Sequence, residues 1–217
     1  MTPDLFAADA PALQDEVLAD GAVVLRGFAT AREAALKHDL ERVTTEAPFR
    51  HLVTPGGFRM SVGMTNCGEL GWVSDRRGYR YDPVDPESGA RWPDLPGSLR
   101  ALAADAAAGA GYAGFVPDAC LINRYEPGAR LSMHQDRDEK DLRAPIVSVS
   151  LGLPAVFLWG GDERADKARR VPLQHGDVVV WGGPSRLRFH GVLALKDGQH
   201  PFAGNHRINL TFRKVRP

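Results

Sequence analysis

The sequence predicts a mainly β protein with flanking helices, α+β overall. Three observations carry this. From Phe115 onward, seven strand-length runs follow one another: "DACLINRYE", "IVSVSLG", "AVFLWGG", "RVPLQ", "GDVVVWGG", "FHGVLAL" and "HRINLTFRKV". Turn residues separate them at fairly regular intervals, the pattern of a sandwich or barrel. The helical period occurs in two stretches, both of which precede that series.

In chain order, residues 1–47 are an N-terminal elaboration. "GAVVLRGFA" reads as a strand and "TAREAALKHDLERVTTEA" as an amphipathic helix capped by Thr30. The next segment, up to about residue 97, is rich in Gly, Pro and aromatics. Short strands such as "FRMSVGMTN" alternate there with turns. It has little with which to build a core of its own and reads as a hairpin-rich flap laid over something else. "GSLRALAADAAAGAGY" is a second helix, running from Pro96 to a glycine-rich end. With no internal repeat and no low-complexity linker, residues 1–217 are expected to form one domain.

Composition excludes several classes. Lys plus Arg and Asp plus Glu each number 27, so the formal net charge is zero. Nothing global draws the chain to a polyanion or a membrane, and nucleic acid would need a local patch. "RRGYR", with Arg76, Arg77 and Arg80, and the group Arg164, Lys167, Arg169 and Arg170 are the available patches, although such runs are usually solvated. Cys67 and Cys120 make neither a disulfide framework nor a zinc motif. The start of the chain lacks a basic region followed by an apolar one. The longest apolar run, "PIVSVSLGLPAVFLWGG", is broken by Ser148, Ser150, Pro154 and glycines and is too short to span a bilayer. A soluble, cytoplasmic protein is expected.

The chemistry begins at "LSMHQDRDEKD". In extended chain, residues i and i+2 share a face, so His134, Asp136 and Asp138 would point one way. His134 and Asp136 can then bind one metal, and His190 in "LRFHGVLAL" supplies a third group. Two histidines and one carboxylate make the facial triad of non-haem Fe(II) oxygenases. Taken singly, His-x-Asp is common in solvated loops, and a lone histidine is more often a satisfied core residue. Near the C-terminus, "RINLTFR" alternates strictly. Arg207, Asn209, Thr211 and Arg213 share one face, with Ile208, Leu210 and Phe212 on the other. An isolated strand would place that polar face in solvent. Two arginines beyond a metal-spaced histidine suit instead a dicarboxylate cosubstrate, because guanidinium pairs with carboxylate in bidentate fashion and keeps its charge when buried.

Together, "INRYEPGARLSMHQDRDE", "PIVSVSLG", "HGDVVVWGG", "RLRFHG" and "RINLTFR" closely resemble the AlkB family of Fe(II)/2-oxoglutarate dioxygenases. "TPGGFRMSVGMTNCGELGW" and "GYRYDP" resemble that family's nucleotide-recognition flap. The resemblance covers nearly the whole chain, most strongly residues 48–213. It implies a helix and a double-stranded β-helix (jelly roll) core together over 94–217, with the flap at 48–93. Matched by position, it implies His134, Asp136 and His190 as ligands of Fe(II). It implies Asn123, Tyr125, Arg207, Asn209 and Arg213 as the holders of 2-oxoglutarate. Trp72, Tyr79 and Asp138 would meet the substrate base, with Met64, Tyr81 and Arg164 near it. Arg80 departs from the aliphatic residue of bacterial members. Glu139, Lys140 and Asp141 read as solvated surface. The implied reaction is oxidative demethylation, with oxygen as oxidant, of bases such as 1-methyladenine and 3-methylcytosine in single- or double-stranded DNA, or in RNA. No membrane and no obligate protein partner is implied. Two alternatives remain at this point. One is a 2-oxoglutarate oxygenase of RNA, protein or small molecules, which would not need the flap. The other is a non-enzymatic jelly-roll binding module with an incidental His-x-Asp.

Overall fold

The computed structural model of the protein describes residues 14–217. Thirteen strands and two α-helices occur among them: β1 Glu16–Ala19, β2 Ala22–Leu25, α1 Glu33–Glu46, β3 Gly63–Gly68, β4 Gly71–Asp75, β5 Gly78–Asp82, α2 Gly97–Gly109, β6 Ala119–Tyr125, β7 Leu131–His134, β8 Ile146–Gly152, β9 Ala155–Trp159, β10 Arg169–Leu173, β11 Val178–Trp181, β12 His190–Val192 and β13 Arg207–Arg213. Seven strands form the larger sheet in the order β1-β2-β11-β8-β13-β6-β3. Four form the smaller, β10-β9-β12-β7, and β4-β5 is a separate hairpin. Every pairing between these strands is antiparallel.

The layering follows from alternation along the strands. Val147, Val149 and Leu151 of β8, Val178 and Val180 of β11, and Ile208, Leu210 and Phe212 of β13 leave one face of the large sheet. They pack on Leu36, Leu40 and Val43 of α1 and Leu99, Leu102 and Ala106 of α2. Leu36, Leu99 and Leu102 are fully buried, each worth roughly 1.5–3 kcal/mol of apolar transfer. From the opposite face, Ile146, Val179 and Trp181 meet Phe157 and Trp159 of β9, Val171 and Leu173 of β10, and Val192 of β12. Helices, large sheet and small sheet therefore stack in that order. The two facing antiparallel sheets are the predicted jelly roll. The polar residues Arg207, Asn209, Thr211 and Arg213 lie between the sheets, buried, not in solvent as an isolated strand would place them.

Several expectations are revised. Thr30 does not cap α1. It begins a 3-10 turn, Thr30–Arg32, and its hydroxyl donates to the Gly27 carbonyl at 2.6 Å; α1 starts three residues later, with Arg32 at its N-cap and no side-chain cap bond. The N-terminal elaboration contributes β2, which pairs with β11 and extends the large sheet. Of "FRMSVGMTN", the part from Gly63 is strand. It pairs with β6 as the sheet's edge, so this part of the flap region belongs to the core and the β4-β5 hairpin stands apart. Residues 1–13, including most of the stretch read as lacking a leader sequence, lie outside the described residues. Cys67 and Cys120 face each other across β3 and β6 as free, buried thiols. No helix among the described residues is long and apolar enough to cross a membrane.

Candidate active site

β7 and β12 bring the three candidate metal-ligating residues together. His134 and His190 are direct register partners, and their ring centroids lie 4.4 Å apart. This close pairing depends on Gly191. A Cβ there would stand 2.8 Å from the Leu131 carbonyl oxygen and 3.2 Å from the Met133 nitrogen, so a side chain would push β12 off β7. β7 ends at His134, yet Asp136 still turns inward. Its Oδ1 lies 3.6 Å from His134 Nε2 and its Oδ2 3.8 Å from His190 Nε2. The ligand atoms of the three residues all lie within 4.8 Å of one another.

Both histidines are set in the tautomer a metal needs. His134 Nδ1 is 2.9 Å from the Ser132 carbonyl, and His190 Nδ1 is 3.0 Å from that of Arg188. A carbonyl only accepts, so Nδ1 carries the hydrogen and Nε2 presents its lone pair to the shared centre. Burial, with the charge of His134 next, pushes the His190 imidazole down to about 4, so it is neutral near pH 7. Burial alone would raise the Asp136 carboxyl. The Arg213 guanidinium, then His190 and His134, outweighs it and holds the acid well below the usual carboxylate range. Two imidazoles with Nε2 turned inward and one carboxylate, clustered on one side of a cavity, fit Fe(II) as a facial triad.

That cavity has a volume of about 890 Å³. Its floor is β13 and β6. Arg207 is fully buried. Its Nε donates to Ser150 Oγ at 3.0 Å and its guanidinium lies 4.9 Å from the Tyr125 ring, but Nη1 has no partner among the described residues. Asn123 Nδ2 reaches Asn209 Oδ1 at 3.3 Å, while Asn123 Oδ1 is also unpartnered among the described residues. Unmet buried polar atoms are costly and rare. An orphaned guanidinium nitrogen above an inward-facing polar strand fits a bound carboxylate, as 2-oxoglutarate would provide. Arg213 lies nearer the triad, donating from Nη2 to Asp136 Oδ2 at 2.8 Å.

The hairpin forms the rim. Trp72 and Tyr79, diagonal neighbours across β4 and β5, stack with centroids 5.5 Å apart and planes 14° from parallel. Trp72 Nε1 donates to Asp138 Oδ2 at 2.9 Å. Met64 from β3 and Arg164, whose guanidinium lies 5.6 Å from the Phe189 ring, also line the cavity. Tyr81 does not. Its hydroxyl points behind the rim and donates to Glu139. Glu139, read from sequence as solvated, is buried and paired with Arg186 and Arg213. A run of acids gives no sign of this. The lining residue Trp181 was missed in spite of its place in "VVVW", where alternation with the helix-facing Val178 and Val180 marks it as inward. The proposed basic patches are partly neutralised: Arg77 and Arg80 both pair with Asp75, and Arg169 pairs with Glu16.

Two facing antiparallel sheets with a His-x-Asp and a distant His at their open end define a non-haem iron oxygenase architecture. The sequence model of the 2OG-Fe(II) oxygenase superfamily matches residues 21–213. Alpha-ketoglutarate-dependent dioxygenase AlkB from Salmonella typhimurium is 59% identical over 212 residues, covering 98% of this chain and 97% of that protein. The protein of the same name from Escherichia coli K12 is 58% identical over 212 residues, with the same coverage. Among solved structures, that of OsALKBH1 superposes with a TM-score of 0.81 at 30% identity, covering 93% of this chain and all of that one. The chain belongs to the AlkB family of the 2OG-Fe(II) oxygenase superfamily. It is a 2-oxoglutarate-dependent dioxygenase, and the reading as a non-enzymatic binding module is set aside.

Proposed function

We propose that this dioxygenase restores N-alkylated nucleobases in DNA, and in RNA, by oxidative demethylation. 2-Oxoglutarate and oxygen are converted to succinate and carbon dioxide. One oxygen atom enters the N-methyl group, and the resulting hydroxymethyl leaves as formaldehyde, returning the N–H or the unsubstituted ring nitrogen. The observation that supports this best is one cavity holding three features at once: the triad, the unpartnered Arg207 and Asn123 atoms, and a stacked aromatic pair beside a carboxylate at the rim.

His134, Asp136 and His190 would hold Fe(II), which when bound supplies the oxygen chemistry that side chains cannot. The chain's own part is geometry and charge. The two Nδ1–H to carbonyl bonds keep both Nε2 atoms aimed inward. Arg207, with Asn123, Tyr125 and Asn209, would neutralise the far carboxylate of 2-oxoglutarate. Arg213 would meet the carboxylate nearer the iron. A flipped base would stack against Trp72 and Tyr79, with Met64 and Arg164 beside it. Tyr81 would act only through Glu139. The substrate is a lesion in single- or double-stranded nucleic acid, and the work is cytoplasmic, without a membrane or obligate protein partner. Formaldehyde released from a methylated oligonucleotide, and not from a methylated peptide, in an amount equal to the succinate formed from 2-oxoglutarate, would bear the proposal out. Turnover on the peptide alone would refute it.

Asp138 gives a sharper expectation. One oxygen accepts from Trp72 Nε1, leaving the other for the exocyclic nitrogen of the base. A carboxylate there also favours a cationic lesion. Asp138→Asn keeps the shape and an acceptor but loses the charge. It should retain metal and 2-oxoglutarate binding. Its rate should fall most on cationic 1-methyladenine and 3-methylcytosine, and least on neutral 1-methylguanine and 3-methylthymine. Equal fractional losses on all four, in one oligonucleotide context, would show that Asp138 does not read charge.

A further inference from the structure

Asp136 lies two residues beyond the end of β7, in a segment without strand or helix. No ladder of strand bonds holds it in place. The side chain that does so comes from elsewhere. Arg186 follows the 3-10 turn Gly183–Ser185 between β11 and β12 and is 4% exposed. Its guanidinium reaches three acceptors of the single segment joining β7 to β8. Nη1 donates to the Asp136 carbonyl at 2.6 Å, Nε to that of Ala144 at 3.0 Å, and Nη2 to Glu139 Oε2 at 3.0 Å. The other Glu139 oxygen lies 3.2 Å from Arg213 Nε and also accepts from Tyr81. Arg213 Nε and Nη2 both reach Asp136 Oδ2, at 3.2 and 2.8 Å.

Arg186, Glu139, Arg213 and Asp136 thus form a buried chain of alternating charge, two positive and two negative. A buried charge without a partner is costly, so each member depends on its neighbours. The middle of the chain has a consequence for the metal ligand. Arg213 is shared between two acids, and its contact with Asp136 falls on Oδ2 alone, leaving Oδ1 toward His134. Without Glu139, Asp136 would be the one acid left to Arg213 in this chain, and a guanidinium facing one carboxylate tends to take both oxygens. That arrangement would compete with a metal for the same lone pairs.

We propose that Arg186 and Glu139 are positioning residues for the iron site: Arg186 fixes the backbone of Asp136, and Glu139 draws Arg213 aside so that one Asp136 oxygen stays available to the metal. The proposal rests on His134, Asp136 and His190 as the metal ligands, and the test separates the two claims. The probe is Co(II), whose visible absorption reports both affinity and ligand geometry. It is titrated into the full chain as wild type, Arg186→Met, Arg186→Lys and Glu139→Gln, with circular dichroism and thermal unfolding recorded alongside. Loss of a group that orients a metal ligand typically weakens metal affinity about 10–100-fold. We expect Arg186→Met and Glu139→Gln to fall in that range with altered absorption bands, and Arg186→Lys to be weakened as well, since one ammonium cannot span three acceptors. If the methionine and glutamine variants do not fold, the lysine variant, which keeps the charge facing Glu139, decides. Folded variants with wild-type Co(II) affinity and spectrum, whatever their unfolding midpoint, would overturn the proposal by showing a purely structural role. Failure of the wild type to bind Co(II) would instead overturn the ligand assignment on which it rests.

Discussion

Replacing His134 with alanine is expected to end succinate formation and leave the fold intact. The side chain lies at the end of a short strand on the cavity wall, about a third exposed. Its loss opens no cavity in either apolar cluster, neither of which includes it. The thermal midpoint should therefore move little. A metal held by the proposed triad would, by contrast, lose one of its three ligands. Groups that merely orient a ligand are worth about 10–100-fold in metal affinity or activity, so loss of a ligand itself should cost at least the upper end of that range. Circular dichroism, metal titration and succinate assay on one preparation check this. Full succinate production by a folded His134→Ala would remove His134 from the site.

Arg207→Ala should raise the 2-oxoglutarate requirement steeply and leave metal affinity near that of the wild type. Arg207 is fully buried, and its Nη1 has no partner among the described residues. Removing one partner of a desolvated charge pair costs about 2–5 kcal/mol, roughly 30-fold to several thousand-fold in apparent affinity. Arg213→Ala offers the contrast. That guanidinium also contacts Asp136, so its loss should weaken metal and cosubstrate together. Measuring 2-oxoglutarate and metal dependence separately in both variants distinguishes the two arginines. A wild-type 2-oxoglutarate requirement in Arg207→Ala would contradict its assignment at the far carboxylate.

The two arginines also show how far the sequence could be read. The alternation in "RINLTFR" placed four polar residues on one face, and that face proved to be interior. Local pattern gave the geometry, while the reason to bury two arginines came only from the chemistry of a dicarboxylate. His134 and His190 were legible as residue types, but their pairing is a matter of register between strands distant in sequence. Thr30 was misread because a 3-10 turn, Thr30–Arg32, precedes α1 and puts Arg32 rather than Thr30 at the helix N-cap, which the helical period alone does not reveal. Glu139 was misread because "QDRDEKD" carries no sign that its fifth residue turns inward. That depends on Arg186, 47 residues further on, which has no periodic pattern of its own. The placement of β3 and β2 in the large sheet was likewise invisible locally, since both pair with strands far along the chain, β3 with β6 and β2 with β11.

The most direct measurement is the intact mass of an oligonucleotide carrying one 1-methyladenine, followed after incubation with the protein, Fe(II), 2-oxoglutarate and air. A shift to the mass of the unmethylated strand is expected. The shift should be lost on omitting 2-oxoglutarate and in the His134→Ala protein. An oligonucleotide that keeps its methyl group while the same preparation converts 2-oxoglutarate to succinate would contradict the claim that the cavity is built for an alkylated base.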